Sequence, residues 1–219
     1  MERDMRLWRS MQAVAASMGV RSAYKDQSLF MRILGWILFF NPAFMTRYTT
    51  TIGKTVYFPN RETVEQNPRR YALVLAHELQ HVADQRDQGT FAFVTKYLEP
   101  QWWVVAGLVP LCVPQAPWWL ALPSLVALLP VGSTGRTELE LRGYGMTIAM
   151  MVWMGDGMVA PPSWIVDQFT SMAYFRMCPD KAMVVSALER YREQALRGHV
   201  DLQMSSRVKP LADSWRQAG

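Results

Sequence analysis

The sequence predicts one domain of the α+β class, predominantly helical with a small β-sheet. Three observations point there. With 50% hydrophobic and 19% charged residues among 219, the chain can bury a substantial core. Its apolar residues mostly recur at helical spacing, as in Met5, Leu7, Trp8, Met11, Val14, Ala15 and Met18. The period changes in Thr49-Thr-Thr-Ile-Gly-Lys-Thr-Val-Tyr-Phe58, where β-branched and aromatic residues run up to Pro59 and read as one or two strands.

Taken in order, residues 1–48 hold N-terminal helices. Residues 4–19 read as a packing helix with arginines on its outer side. The apolar run Leu29–Phe40, ended by Asn41-Pro42, is too short to span a bilayer straight and suits a buried or interfacial helix. Residues 49–99 add the strand region, then a helix through Tyr71–Asp84. Asn67 suits its N-cap, Pro68 its first position and Gly89 its stop. Phe91–Leu98 is a short amphipathic element of helical character.

Residues 100–135 carry no charge at all, but include Trp102-Trp103, Trp118-Trp119 and prolines 110, 114, 117, 123 and 130. Those prolines argue against one straight transmembrane helix and for an apolar hairpin of two short helices. Three placements suit it: dipping into a membrane with tryptophans as interfacial anchors, buried in the core, or covered by another subunit. Residues 136–198 form a helix running into Met146, Met150, Met151 and Met154, read as core filler. A loop around Gly155-Asp156-Gly157 follows, then helices over Trp164–Met177 and Lys181–Leu196. Residues 199–219 are read as a tail, with roughly the last dozen lacking structure.

The chemistry concentrates in His77-Glu78-Leu79-Gln80-His81, an HExxH box. At about 100° per residue the two histidines lie roughly 40° apart on one helix face, so both imidazoles reach one ion. Ala72, Ala76, Leu79 and Ala83 give the opposite face a small apolar surface for close packing. Two neutral imidazoles suit Zn2+, leaving room for a third protein ligand and a water. Glu78 is placed to take a proton from that water. His199, the one other histidine, follows Gly198 in a polar stretch and is a poor third ligand.

Val74-Leu-Ala-His-Glu-Leu-Gln-His-Val-Ala-Asp84 resembles the active-site helix of the zincin metallopeptidases. The metzincin-like form has a glycine and a third histidine where this chain has Asp84 and Asp87, so it does not fit; Asp87 remains a lesser ligand candidate. Arg136-Thr-Glu-Leu-Glu-Leu-Arg-Gly-Tyr144 is similar to the gluzincin arrangement, where a second helix carries a Glu ligand followed three residues later by a small residue. That resemblance implies Glu140 as third ligand, with Gly143 allowing close helix approach. Glu138 is followed by Leu141 at that interval and points about 200° away from Glu140. Tyr144 stands where the family often has an Asp, and the resemblance leaves it three roles: orienting a ligand, donating to a developing oxyanion, or packing. Asp84 shares the histidine face and either buttresses the ligands or meets solvent. The resemblance covers residues 50–90 and 134–150. It implies a zincin-like core with the apolar helical hairpin inserted between the metal-binding helices, a peptide or protein substrate, and a strand before the metal helix that a substrate can extend.

Net charge is +5, but the 23 Lys and Arg are scattered, which gives no nucleic-acid stripe and is compatible with mild attraction to an anionic membrane. Cys112 and Cys178 have no paired spacing and are read as free thiols, which favours a reducing compartment or indifference to redox. The charged start has no cleavable secretory pattern, so the expected location is cytoplasmic, or peripheral or monotopic on a membrane, with an uncleaved anchor left open. The expected function is a zinc metallopeptidase, with membrane or protein contact through 100–135. The alternative is a structural or assembly protein of a virion or membrane complex that keeps the zinc site. An intact Glu78 favours catalysis, since a structural site needs no base.

Overall fold

Amphipathic spacing produces the first helix, α1 (Glu2–Ser17), whose stripe Leu7, Trp8, Met11 and Ala15 is buried. Gly19, at φ 66°, turns the chain into β1 (Arg21–Tyr24). Next come α2 (Leu29–Ile37), capped by the Ser28 hydroxyl accepting from the Met31 N–H, and the single turn α3 (Ala43–Thr46). The Thr49–Phe58 region forms two strands, β2 (Thr50–Ile52) and β3 (Thr55–Phe58), reversed at Gly53 with φ 58°. The sheet order is β1-β3-β2, with β1 parallel and β2 antiparallel to β3. Among the described residues β2 is therefore an edge. β1, absent from the sequence expectation, has no apolar alternation and is held as a strand by its register with Thr55–Phe58.

Asn60 caps α4 (Arg61–Gln66), and α5 (Pro68–Gln88) begins at Pro68 and stops at Gly89, φ 85°, as expected. Asn67 precedes α5, but its side chain donates to the Thr63 carbonyl rather than capping the helix. There follow α6 (Thr90–Tyr97), α7 (Thr134–Met154), α8 (Ser163–Thr170), α9 (Lys181–Leu196) and α10 (Ser205–Gln217). The computed structural model describes residues 1–39, 43–99, 117, 119, 132–171 and 177–218. The expected hairpin and Cys112 thus fall outside the described residues, apart from Pro117, Trp119 and the lead into α7, which Ser133 caps. Among the described residues no helix is long and apolar enough to cross a membrane.

Two long helices, α5 and α7, run against each other at the centre, with α1 and β3 behind α5 and α9 and α10 on α7. Met146, Met150 and Met154 of α7 are buried there, as core filler. A second cluster, including Ile148, Ile165, Phe169, Val184 and Leu188, joins α7 to α8 and α9. Two further expectations are corrected. The C-terminal tail is helical: Val208 and Ala212 recur at helical spacing and are fully buried, and the Trp215 indole donates to Asp4 at 2.9 Å. The helix starting near Trp164 ends at Thr170, where Ser171 turns extended, φ −84° and ψ 163°; residues 172–176 of the expected span lie outside the described residues.

Candidate metal centre

α5 and α7 bring together the residues that the box and the second glutamate predict. His77, His81 and Glu140 are all buried, and their ligating atoms lie within 4.8 Å of one another. His77 Nε2 is 3.0 Å from His81 Nε2 and 3.4 Å from Glu140 Oε2, and His81 Nε2 is 3.9 Å from Glu140 Oε1. A tetrahedral ion bonded at about 2.0–2.1 Å needs ligand atoms about 3.3 Å apart, and the two edges from His77 Nε2, 3.0 Å to His81 and 3.4 Å to Glu140 Oε2, lie close to that spacing. The donor set, two imidazoles and a carboxylate, therefore fits a divalent metal ion. Among the described residues this is the one group of at least three such side chains that converges in this way.

Gly143 explains how α7 comes so close. A Cβ there would lie 2.7 Å from His77 Cε1 and 2.8 Å from Nε2, overlapping the imidazole. The glycine three residues after Glu140 thus makes room for the ligand ring itself. Glu138 points away, exposed, and ion-pairs with Lys96 at 3.4 Å. Asp87 is exposed and accepts from Gln203, and His199 is exposed; neither joins the group.

Protonation follows from burial and neighbours. Burial and the adjacent His77 lower the pKa of His81 to about 3, so it is a neutral imidazole with a lone pair to offer. Burial alone would lower His77 and raise Glu140, but their hydrogen bond wins, holding His77 up and Glu140 down as a carboxylate. His81 Nδ1 is buried without a hydrogen-bond partner.

Two side chains that no motif marks complete the surroundings. The Tyr97 phenol, on α6, donates to Glu140 Oε1 at 2.8 Å; burial, then the Glu140 charge, raise its pKa well above the usual phenol value, so it stays a donor. Its ring is stacked with Phe93 and edge-on to His81, with centroids 5.8 Å apart in both pairs. Thr51, on the edge strand β2, donates from Oγ1 to Glu78 Oε2 at 2.6 Å. Glu78 stands beside the ligand group without belonging to it. Its pKa is raised, burial outweighing the pull of His77 and of the Thr51 hydrogen bond. Lys25 is wholly buried near it, its ammonium donating to the Phe44 carbonyl at 2.6 Å and lying 3.9 Å from the Phe44 ring centre. Burial lowers the Lys25 pKa to about 8 against the raising effect of Glu78.

Tyr144 touches the centre with its ring, edge-on to His77 at 4.6 Å between centroids and packed on Phe169 at 5.5 Å. Asp84 is fully buried rather than solvent-facing. Arg142 of α7 donates to it from Nε at 2.9 Å, Gln80 donates to the same Oδ1 at 2.9 Å, and Gln203 links the pair to the start of α10. This network ties together the two helices that carry the ligands. No family model, curated protein or solved structure matches this chain.

Proposed function

We propose that the protein is a zinc-dependent metallopeptidase with a zincin-like, gluzincin-type arrangement. One observation carries the reading: His77, His81 and Glu140 converge from two helices, while Glu78 stands beside them on the same helix outside the ligand set. A binding site alone would need the three ligands and no base. Bound there, zinc would supply Lewis-acid polarisation of a peptide carbonyl and a lowered pKa for water.

The chain's own residues supply the rest. Glu78 takes the proton from the attacking water and returns it to the leaving amine. The Thr51 hydroxyl fixes the Glu78 carboxylate at 2.6 Å, aiming its other oxygen. Among the described residues β2 is an edge of the sheet next to that base, and an extended peptide adding to it would run alongside Glu78. Tyr97 holds the Glu140 carboxylate, and the Tyr144 ring limits rotation of His77.

Digestion of casein and of a peptide library by zinc-loaded protein tests the proposal, with Glu78→Gln beside wild type. Cleavage that falls at least about a hundredfold in Glu78→Gln, with zinc retained, is expected. Zinc retained with no hydrolysis by wild type would instead support the structural or assembly reading.

A further inference from the structure

α2 places Leu29, Phe30, Ile33, Trp36 and Ile37, followed by Phe39, on the outside of the molecule, each between 51% and 81% exposed. Large apolar residues exposed singly need no explanation, but five on one short helix with a sixth just beyond it form a patch. At about 100° per residue the five helical ones fall within about 120° of the circumference. The opposite arc is the packed one. Met31 is fully buried, and a Cβ on Gly35 would lie 2.7 Å from Met45 Sδ, so α2 is pressed onto α3 by the face it does not expose. α3 is anchored in turn through Phe44, whose carbonyl accepts from the buried Lys25. The apolar arc therefore stands on a firm support and faces outward.

We propose that this face docks the protein on an anionic lipid surface. Charge selects that occupant. Between Asp26 and Glu62 the chain has no acidic residue, whereas Arg32, Arg47, Lys54 and Arg61 all occur there. Arg32 and Arg47 are exposed, and Arg32 borders the apolar arc, roughly 40° from Trp36 around the helix. An apolar arc with tryptophan and phenylalanine, bordered by Arg32 in a segment without acidic residues, matches an acyl-chain and headgroup boundary. Nine residues rise only about 14 Å, so α2 lies in the interface and does not cross it. α3 leads into β2, whose Thr51 holds Glu78, so the docking segment is joined through the chain to the metal centre. The lipid contact itself does not rest on the metallopeptidase reading and is measured without turnover.

Co-sedimentation of the full chain with phosphatidylcholine vesicles, with and without phosphatidylglycerol, tests it. Wild type is expected to bind the phosphatidylglycerol vesicles and to bind phosphatidylcholine alone weakly. Phe30→Ser/Trp36→Ser/Phe39→Ser changes exposed side chains only; it should melt like wild type and lose binding at least about tenfold. Arg32→Gln and Arg47→Gln should each weaken anionic binding about fivefold. Val159→Ser, an exposed apolar control elsewhere, should leave binding unchanged. Wild type that ignores both vesicles, or a triple variant that binds as well as wild type, overturns the proposal. So does a lipid-indifferent dimer that the triple variant converts to monomer, which would assign the face to a second copy.

Discussion

Glu140 uses both carboxylate oxygens: Oε2 lies 3.4 Å from His77, and Oε1 accepts from Tyr97 at 2.8 Å. Without the phenol the carboxylate could rotate away from the two imidazoles. Tyr97→Phe is therefore expected to weaken metal binding about 10- to 100-fold, read by chelator competition, while leaving the fold intact. Unchanged affinity would make Tyr97 a packing residue only. Lys25 offers a pH-dependent counterpart. Its pKa is about 8 in the folded state, against about 10.4 in the unfolded chain. Below pH 8 both states carry the proton and the burden of the buried ammonium is complete. Between the two pKa values the native state binds fewer protons, so this contribution shifts toward stability as pH rises. The denaturant midpoint of wild type relative to Lys25→Met should accordingly rise from about pH 7 to about pH 9.5. A constant difference would contradict it.

The contact between α5 and α7 is the element on which the centre depends, and two substitutions probe it separately. Gly143→Ala would push a methyl into the His77 ring, where it would be 2.7 Å from Cε1. A loss of about 1–3 kcal/mol in stability and reduced metal affinity together are expected, from thermal melts and metal titration. Asp84→Ala leaves Arg142 facing a buried space. Because Arg142 is only partly buried and keeps Gln203, the loss should fall at the lower end of the roughly 3–5 kcal/mol of a broken buried pair. These two helices were readable in the sequence in different ways. The HExxH box sits inside a helical period, whereas Glu140 with Gly143 was legible only through the resemblance to a ligand followed three residues later by a small residue. Tyr97 and Thr51 were not readable, because their partners are 43 and 27 residues away and no local pattern records which side chains tertiary packing will pair.

Across the whole molecule, the C-terminal helix α10 closes the structure by packing on both α1 and α7. Arg3 lies over the Trp215 ring at 3.6 Å, and Val208 and Ala212 fill the seam. The short, polar sequence of α10, interrupted by Pro210, hides a packed stripe, which is why composition suggested a loose tail. β1 escaped notice likewise, since four residues without alternation become a strand only beside β3. Val208→Asp puts an unpaired charge in that seam and should lower stability by at least about 3 kcal/mol in denaturant titration. A loss confined to a few tenths of a kcal/mol would show that α10 is dispensable to the fold.

The claim that α5 and α7 together hold one metal ion is tested most directly by metal stoichiometry, measured by elemental analysis and native mass spectrometry of purified wild type, Glu140→Ala and Glu138→Ala. One zinc per chain in wild type and in Glu138→Ala, with its loss in Glu140→Ala, is the predicted result. Zinc absent from wild type, or retained equally by Glu140→Ala, would contradict the account.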